Sequence, residues 1–169
     1  MVVTVRGAKD RIFTQVIKQA ANSFANKLLT SRMIPSIRIH INITDQLDGG
    51  GFCSTLDDAP HREFFIELAR THYRLDLIKT LAHEMVHVKQ IARGNVKFSY
   101  YNKYNIAKWY DTFYDMEIVD YWDQPWEIEA YGLENSLVAK FLAETTNYRY
   151  FRQRKRDWFA RESPRKSKE

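Results

Sequence analysis

Residues 81–90 read LAHEMVHVKQ and contain the pattern His-Glu-x-x-His, formed by His83, Glu84 and His87. Apolar residues recur at helical spacing over residues 75–92, so we predict an α-helix there. Positions four apart lie on one face of an α-helix, with about 5–6 Å between their Cβ atoms. The two imidazoles can therefore face a single metal ion.

The predicted helix carries two separate faces. An apolar stripe that would bury the helix against a sheet is formed by Leu77, Leu81, Met85 and Val88. The histidines lie on another face, which continues through Asp76, Thr80 and Gln90. Glu84 lies between the two faces, within reach of a metal-bound water rather than of the metal. Zinc makes such a water far more acidic, and a glutamate can take its proton and deliver it to a leaving amine.

A catalytic zinc site needs a third protein ligand. The other histidines all precede the motif, and they are His40, His61 and His72. The candidates that remain are the carboxylates of PWEIEAYGLE, residues 125–134. On a helix, Glu127 and Glu129 flank opposite sides of an apolar stripe made by Trp126, Ala130, Leu133, Leu137 and Phe141.

The two glutamates differ in their predicted surroundings. The apolar arc continues beyond Glu127, whereas polar residues surround Glu129, namely Ser136, Lys140 and Asn147. Because a buried carboxylate needs a partner such as a metal, we predict that Glu127 is the third ligand and keep Glu129 as the alternative. Tyr131 and Glu134 share the face of Glu127, where they could hydrogen-bond to the ligands.

The composition predicts one domain with a sizeable core in 169 residues. No run of about 18 apolar residues is present, so no membrane span is expected. The first residues lack the apolar region of a secretory signal. Cys53 is the sole cysteine, which excludes an internal disulfide and fits a reducing compartment. We expect a cytoplasmic protein in which residues 1–162 form the domain and residues 163–169 a disordered basic tail.

The remaining patterns predict an α+β fold. Helical spacing covers residues 8–29, 75–92 and 125 to about 161, with Pro125 at a first turn. Strands or extended pieces are predicted at residues 37–44, 52–56, 63–69, 97–101 and 109–114, with a turn at 102–105. The expected arrangement is a small mixed sheet packed on the motif helix, with further N-terminal and C-terminal helices.

HEMVH followed by a helical glutamate resembles the gluzincins, the thermolysin-like metallopeptidases. WEIEAY is similar to the ligand helix of ImmA/IrrE-type and related bacterial and phage metallopeptidases, whose first glutamate binds zinc, which matches Glu127. The resemblance covers residues 75–93 and 125–142, and it implies a zincin-like domain that uses zinc to hydrolyse protein or peptide substrates. Tyr131 departs from it, because those families often have Asn or Asp there. SprT-like proteases share the HExxH core, but their downstream third histidine is missing here.

Two further features bear on substrate binding. In gluzincins a strand beside the active-site helix binds extended peptide by edge pairing, and EFFIELA, residues 63–69, is the candidate; a plain interior strand is the alternative. Residues 100–122 are rich in Tyr and Trp, which indicates aromatic packing or a wall of the cleft. Tyr110, Tyr114 and Tyr131 are candidate donors to an oxyanion, and the sequence does not choose among them.

The basic character of the chain lies in residues 149–169, which carry nine basic and three acidic residues. Aromatic residues alternate with these charges, so weak binding to nucleic acid is one interpretation. A helix that docks its rings onto the domain is the other. The alternatives to a metallopeptidase are thus a zincin-like binding module that does not cut, and a nucleic-acid-associated protein acting through this tail. The sequence indicates no oligomeric state.

Overall fold

The structure is a computed structural model that describes residues 1–71, 73–101 and 104–144. Within these ranges the chain has the predicted α+β fold, with three α-helices and two sheets. In chain order the elements are β1 (Val2–Arg6), α1 (Arg11–Leu28), β2 (Arg38–Thr44), β3 (Gly51–Thr55), β4 (Glu63–Ala69), α2 (Arg74–Ala92), β5 (Val96–Tyr101), β6 (Tyr104–Trp109), β7 (Thr112–Asp115) and α3 (Pro125–Glu144). Short 3₁₀ turns at Ile34–Ser36 and Tyr121–Asp123 precede β2 and α3.

The larger sheet has four strands in the order β1-β2-β4-β3. Strands β1, β2 and β4 run parallel, and β3 runs antiparallel to β4. The smaller sheet is an antiparallel meander of β5, β6 and β7. The mixed sheet expected from the sequence is therefore present, and it carries β1 and β3 at its two edges.

The position of β4 corrects one expectation. Residues 63–69 form a strand at the predicted bounds, but β2 and β3 pair with it on either side. EFFIELA is therefore an interior strand and has no free edge for a peptide. Strand order depends on contacts distant in sequence, so the alternating pattern of β4 cannot indicate which strands lie beside it.

The main core lies between the larger sheet and helices α1 and α2. Alternate residues of β2 and β4 point into this core, and each is at most 3% exposed: Ile39, Ile41, Ile43, Phe64, Ile66 and Leu68. The first turn of α1 is fixed by the Asp10 carboxylate, which accepts a hydrogen bond of 2.6 Å from the Phe13 amide. The apolar residues that alternate along β2 and β4 therefore pack with the apolar face of α1 in one layer.

Helix α3 packs mainly against α2. Four residues of its predicted stripe are buried, Trp126, Ala130, Leu137 and Phe141, and the fifth, Leu133, is partly buried. With the sheet on one side and α3 on another, α2 also buries polar side chains, namely His83, Glu84, Lys89 and Gln90. The sequence separates two faces of this helix; the structure buries the apolar face together with His83 and Gln90 of the polar face, and leaves Asp76 exposed. A buried polar face needs partners, and these come from α3.

Three strands, β1, β6 and β7, differ from the sequence prediction. VVTVR forms β1, a half-exposed strand parallel to β2, where no element was predicted. The predicted extended piece at residues 109–114 breaks at Tyr110 and Asp111, between β6 and β7. Tyr110 has a φ of 49° there, a left-handed conformation usual for Gly, Asn or Asp, so its identity gave no signal of a turn. Residues 104 and 105, expected in a turn, belong to β6.

Some predictions fall on residues that the structure does not describe. These are the extension of the last helix from Glu144 to about Arg161, the basic segment 149–169 with its tail at 163–169, and His72. Among the helices of the described ranges, none is both long and apolar enough to cross a membrane.

Candidate metal centre

Two adjacent helices bring the predicted ligands together. His83 and His87 lie one turn apart on α2, and Glu127 lies in the first turn of α3. The ligand atoms of these three residues all lie within 4.8 Å of one another. Glu127 Oε2 is 3.1 Å from His83 Nε2, and Glu127 Oε1 is 3.3 Å from His87 Nε2. The cluster is therefore compact enough to hold one metal ion.

The outer nitrogens of both imidazoles face acceptors. His83 Nδ1 donates to Glu134 Oε2 at 3.3 Å, and His87 Nδ1 donates to Gln90 Oε1 at 2.8 Å. Because these partners accept hydrogen bonds, each neutral imidazole carries its proton on Nδ1 and leaves its Nε2 lone pair for a metal ion. Histidines that bind metals usually have such a partner on the other nitrogen. The protonation of the neutral imidazoles therefore suits a metal ion, as do the distances between the ligand atoms.

The structure separates Glu127 from the alternative ligand, Glu129. Glu127 is 7% exposed and contacts both histidines. Glu129 points to the other flank of α3, where it accepts hydrogen bonds from Lys89 Nζ and from Gln90 Nε2. Only the first of the two acids can share an ion with the histidines. Burial alone would raise the pKa of the Glu127 carboxyl, but its hydrogen bonds with His83 and His87 outweigh burial and lower that pKa well below its usual range.

Glu84 lies next to this cluster but does not belong to it. Its side chain is 4% exposed, and burial raises its pKa to about 7. Strand β3 touches it through Gly51, where an added Cβ would lie 2.6 Å from Glu84 Oε1. The thiol of Cys53, two residues along the same strand, also has a raised pKa because of burial, and the charge of Glu84 adds to the effect. Glu84 can therefore hold or release a proton near neutral pH, beside the edge of the sheet.

Tyr121 is a site residue that the sequence did not indicate. Its hydroxyl donates a 2.7 Å hydrogen bond to Glu127 Oε2, from the 3₁₀ turn that precedes α3. Burial and its hydrogen bonds to Tyr131 and Glu127 raise the pKa of Tyr121, so the phenol stays protonated. The sequence carries no signal for this contact, because it depends on the 3₁₀ turn that brings Tyr121 back against the first turn of α3.

Of the three tyrosines proposed from the sequence as oxyanion donors, Tyr110 and Tyr114 pack on tryptophans, and Tyr131 lies at the site. Tyr110 packs on Trp109 at 4.9 Å between ring centroids, and Tyr114 packs on Trp126 at 5.8 Å. Tyr131 does reach the site: its ring lies edge-on against His83 at 4.5 Å, and its side chain hydrogen-bonds to Tyr121. Trp109 and Phe98 also surround Trp126, so much of the aromatic segment is packing, as one interpretation expected. The hydroxyl on the metal cluster belongs to Tyr121.

No family model, curated protein or solved structure matches this chain. The likeness to zinc peptidases therefore rests on the HEMVH and WEIEAY motifs, and its functional meaning depends on the geometry of the cluster.

The charges of the cluster predict how the stability of the metal-free protein depends on pH. Burial raises the Glu84 pKa from 4.5 to about 7. The unfolded chain therefore ionises first, and stability falls by about 3 kcal/mol as pH rises between these values. The raised pKa of His87 acts in the same direction at higher pH, because its stabilisation is lost as the imidazole deprotonates. The depressed pKa of Glu127 gives a contribution that is complete above its unfolded value, so it stays constant here.

We expect the metal-free wild type to melt lower at pH 7.5 than at pH 5.5, with Glu84 responsible for a shift of several degrees. Glu84→Gln should remove the fall in melting temperature that is due to Glu84 and keep the fall that is due to His87. Thermal unfolding followed by circular dichroism, with chelator present throughout, measures both proteins. An equal loss of melting temperature in the two would show that Glu84 ionises normally in the fold.

Proposed function

We propose that this protein is a zinc-dependent metallopeptidase, with the metal held by His83, His87 and Glu127 and with Glu84 as the base. The observation that carries the proposal is the convergence of both Nε2 atoms on one buried carboxylate, with each Nδ1 committed to an acceptor. Two imidazoles and one carboxylate are the donor set of many catalytic zinc sites, whereas Mg²⁺ and Ca²⁺ favour oxygen ligands. Zinc supplies Lewis acidity, which polarises a carbonyl and makes water more acidic.

Glu84 supplies the proton transfers in this proposal. It is buried beside the histidines without a hydrogen bond to either in the described contacts, so its carboxylate is free to meet a water. A base works best when its pKa lies near the working pH, and burial raises that of Glu84 to about 7 in the metal-free cluster. The carboxylate takes a proton from the attacking water and passes it to the amide nitrogen as the peptide bond breaks.

Tyr121 supplies a donor for the charge that develops on the carbonyl oxygen. Its hydroxyl already lies at the carboxylate of Glu127 and stays protonated because of its raised pKa. The side chain is 45% exposed, so substrate can reach it from solvent. The single proton of this hydroxyl goes to Glu127 in the free site, so the hydroxyl turns from that carboxylate to the carbonyl oxygen as charge develops there, which lowers the barrier.

Strand β3 is the edge on which an extended peptide would pair. Among the described strands it pairs with β4 alone, and it contacts α2 through Gly51 beside Glu84. An added strand makes main-chain hydrogen bonds along such an edge. The glycines at residues 49–51 keep side chains away from the start of the edge, so a peptide backbone can lie close to Glu84.

Substitutions at two neighbouring glycines test this arrangement. A Cβ at Gly51 would lie 2.6 Å from both Glu84 Oε1 and Thr80 Cγ2, whereas one at Gly50 would lie 3.7 Å from Thr80 Cγ2. We expect Gly51→Ala to lower kcat at least about 10-fold by displacing the base, with zinc content unchanged. Gly50→Ala, the matched control, should stay within about twofold. Similar kcat values for the two variants would mean that the carboxylate of Glu84 is not held by this contact.

Metal removal tests the function as a whole. Elemental analysis of the purified protein should give one zinc per chain. An unfolded protein substrate should be cleaved, with cleavage abolished by a chelator and restored by added zinc. Zinc at one equivalent without cleavage of any substrate would favour the binding module, and absence of zinc uptake would exclude the zinc peptidase.

A further inference from the structure

Gln90 is a wholly buried amide on α2, with 0% of its surface exposed. Its oxygen Oε1 accepts from His87 Nδ1 at 2.8 Å. Its nitrogen Nε2 donates to the Trp126 carbonyl at 2.8 Å and to Glu129 Oε2 at 2.9 Å. Burying an amide is costly unless its polar groups are bonded. Both ends of Gln90 are bonded, and one of them ends on a candidate metal ligand.

The partners on α3 decide which way this amide points. A main-chain carbonyl and a carboxylate can only accept hydrogen bonds, so the NH₂ group of Gln90 must face them. Oε1 must then face His87, and the proton of that imidazole must lie on Nδ1. The tautomer of His87 is therefore set by α3, through a side chain that is not itself a candidate ligand.

Lys89 keeps the acceptor in place. Lys89 is 9% exposed, and its ammonium group pairs with Glu129 Oε1. Glu129 Oε2 accepts the hydrogen bond from Gln90. Trp126 and Glu129 lie within the same two turns of α3 as Glu127. One short segment of α3 thus carries both the third ligand and the anchor that orients the second histidine.

We propose that Gln90, anchored by the Trp126 carbonyl and Glu129, is a positioning residue that holds His87 as its Nδ1-H tautomer with Nε2 toward the metal. His83 is held differently, by the Glu134 carboxylate, which pairs with Lys79 at 3.1 Å. The orientation of His87 therefore depends on how α3 packs against α2, and so the zinc affinity depends on that packing too. The metal consequence rests on the proposed function, whereas the tautomer does not.

The first measurement uses the whole metal-free protein with ¹⁵N-labelled histidine. Long-range ¹H–¹⁵N spectra, recorded at rising pH until the His87 signals stop shifting, distinguish the two neutral tautomers of this residue. We expect His87 in the wild type to be mainly the Nδ1-H form, and Gln90→Met, which keeps the length but removes the acceptor, to shift it to a mixture. The exchange variant Gln90→Glu with Glu129→Gln restores an acceptor at His87 at equal net charge, and it should return the spectrum toward wild type.

Val138→Ala is the control, because this buried residue of α3 has no hydrogen bond to the site and its loss only weakens packing. It should leave the His87 tautomer unchanged. An unchanged tautomer in Gln90→Met, or a shift of equal size in Val138→Ala, would overturn the proposal. So would a folded exchange variant whose spectrum matches that of Gln90→Met.

The second measurement is zinc affinity by competition with a chromophoric chelator. Gln90→Met should bind zinc about 10–100-fold more weakly, the usual effect of losing a partner behind a metal-bound histidine. Val138→Ala should change affinity by less than about threefold. If the wild type itself takes up no zinc, the proposed function fails, and the tautomer spectra still decide the role of Gln90.

Discussion

Glu84→Gln is expected to keep zinc and the fold while lowering peptide hydrolysis by about 10²–10⁴-fold. The amide has the same shape as the buried carboxyl group, so packing against Gly51 should be retained. It cannot accept a proton from water, so the proton transfer to the leaving amine is lost. Initial rates of cleavage of an unfolded protein, at matched zinc content, measure the effect.

Glu67→Gln is a matched control for this experiment. Glu67 lies on the opposite face of β4 from α2, where its carboxylate accepts a hydrogen bond from Asn42 at 3.0 Å. Its replacement should leave hydrolysis within about twofold, since surface changes away from a site have small effects. If Glu84→Gln and wild type cleave every substrate at the same rate, Glu84 is not the base and the non-enzymatic interpretation gains support.

Glu127→Ala is expected to weaken zinc binding by more than about 100-fold, beyond the loss typical of residues behind the ligands. Glu127 contacts both histidines, and its removal would leave only the two imidazoles to hold an ion. Glu129→Ala should weaken binding by less than about 10-fold, because Gln90 keeps its bond to the Trp126 carbonyl. Chelator competition measures both affinities, and circular dichroism confirms that both variants are folded.

The pair of alanine variants distinguishes three ligand assignments. A much larger loss in Glu127→Ala supports the set proposed above. A larger loss in Glu129→Ala would exchange the roles of the two acids. Equal retention of zinc by both would exclude both acids as the third ligand.

The parts of the site that the sequence predicts are those set by local geometry. His83 and His87 share a face because they are four residues apart on one helix, and the apolar stripe of α3 leaves Glu127 and Glu129 on different flanks. Periodicity alone carries this information. The bounds of β4 and the start of α3 at Pro125 follow in the same way from alternation and from proline chemistry.

The parts that the sequence does not reveal depend on contacts between distant segments. A helical wheel shows the two faces of α2, but it cannot show that α3 covers the polar one and supplies partners to Gln90. The pattern of EFFIELA fits an edge or an interior strand equally, and β3 decides between them. Tyr121 reaches Glu127 only because the chain turns just before α3, and Tyr110 occupies a left-handed position that its side chain does not indicate.

The docking of α3 on α2 also links metal binding to local unfolding. When α3 lifts away, Glu127 leaves the histidines and Gln90 loses its anchor, so the open form retains only two of the three ligands. Zinc that binds the closed form then makes opening rarer by the factor 1 + [zinc]/Kd. Amide hydrogens of α3 should accordingly exchange with solvent more slowly in the zinc-loaded protein, while those of β2, buried under α1 and α2, should change little. Zinc would then reversibly stabilise the docked position of the last helix of the described fold.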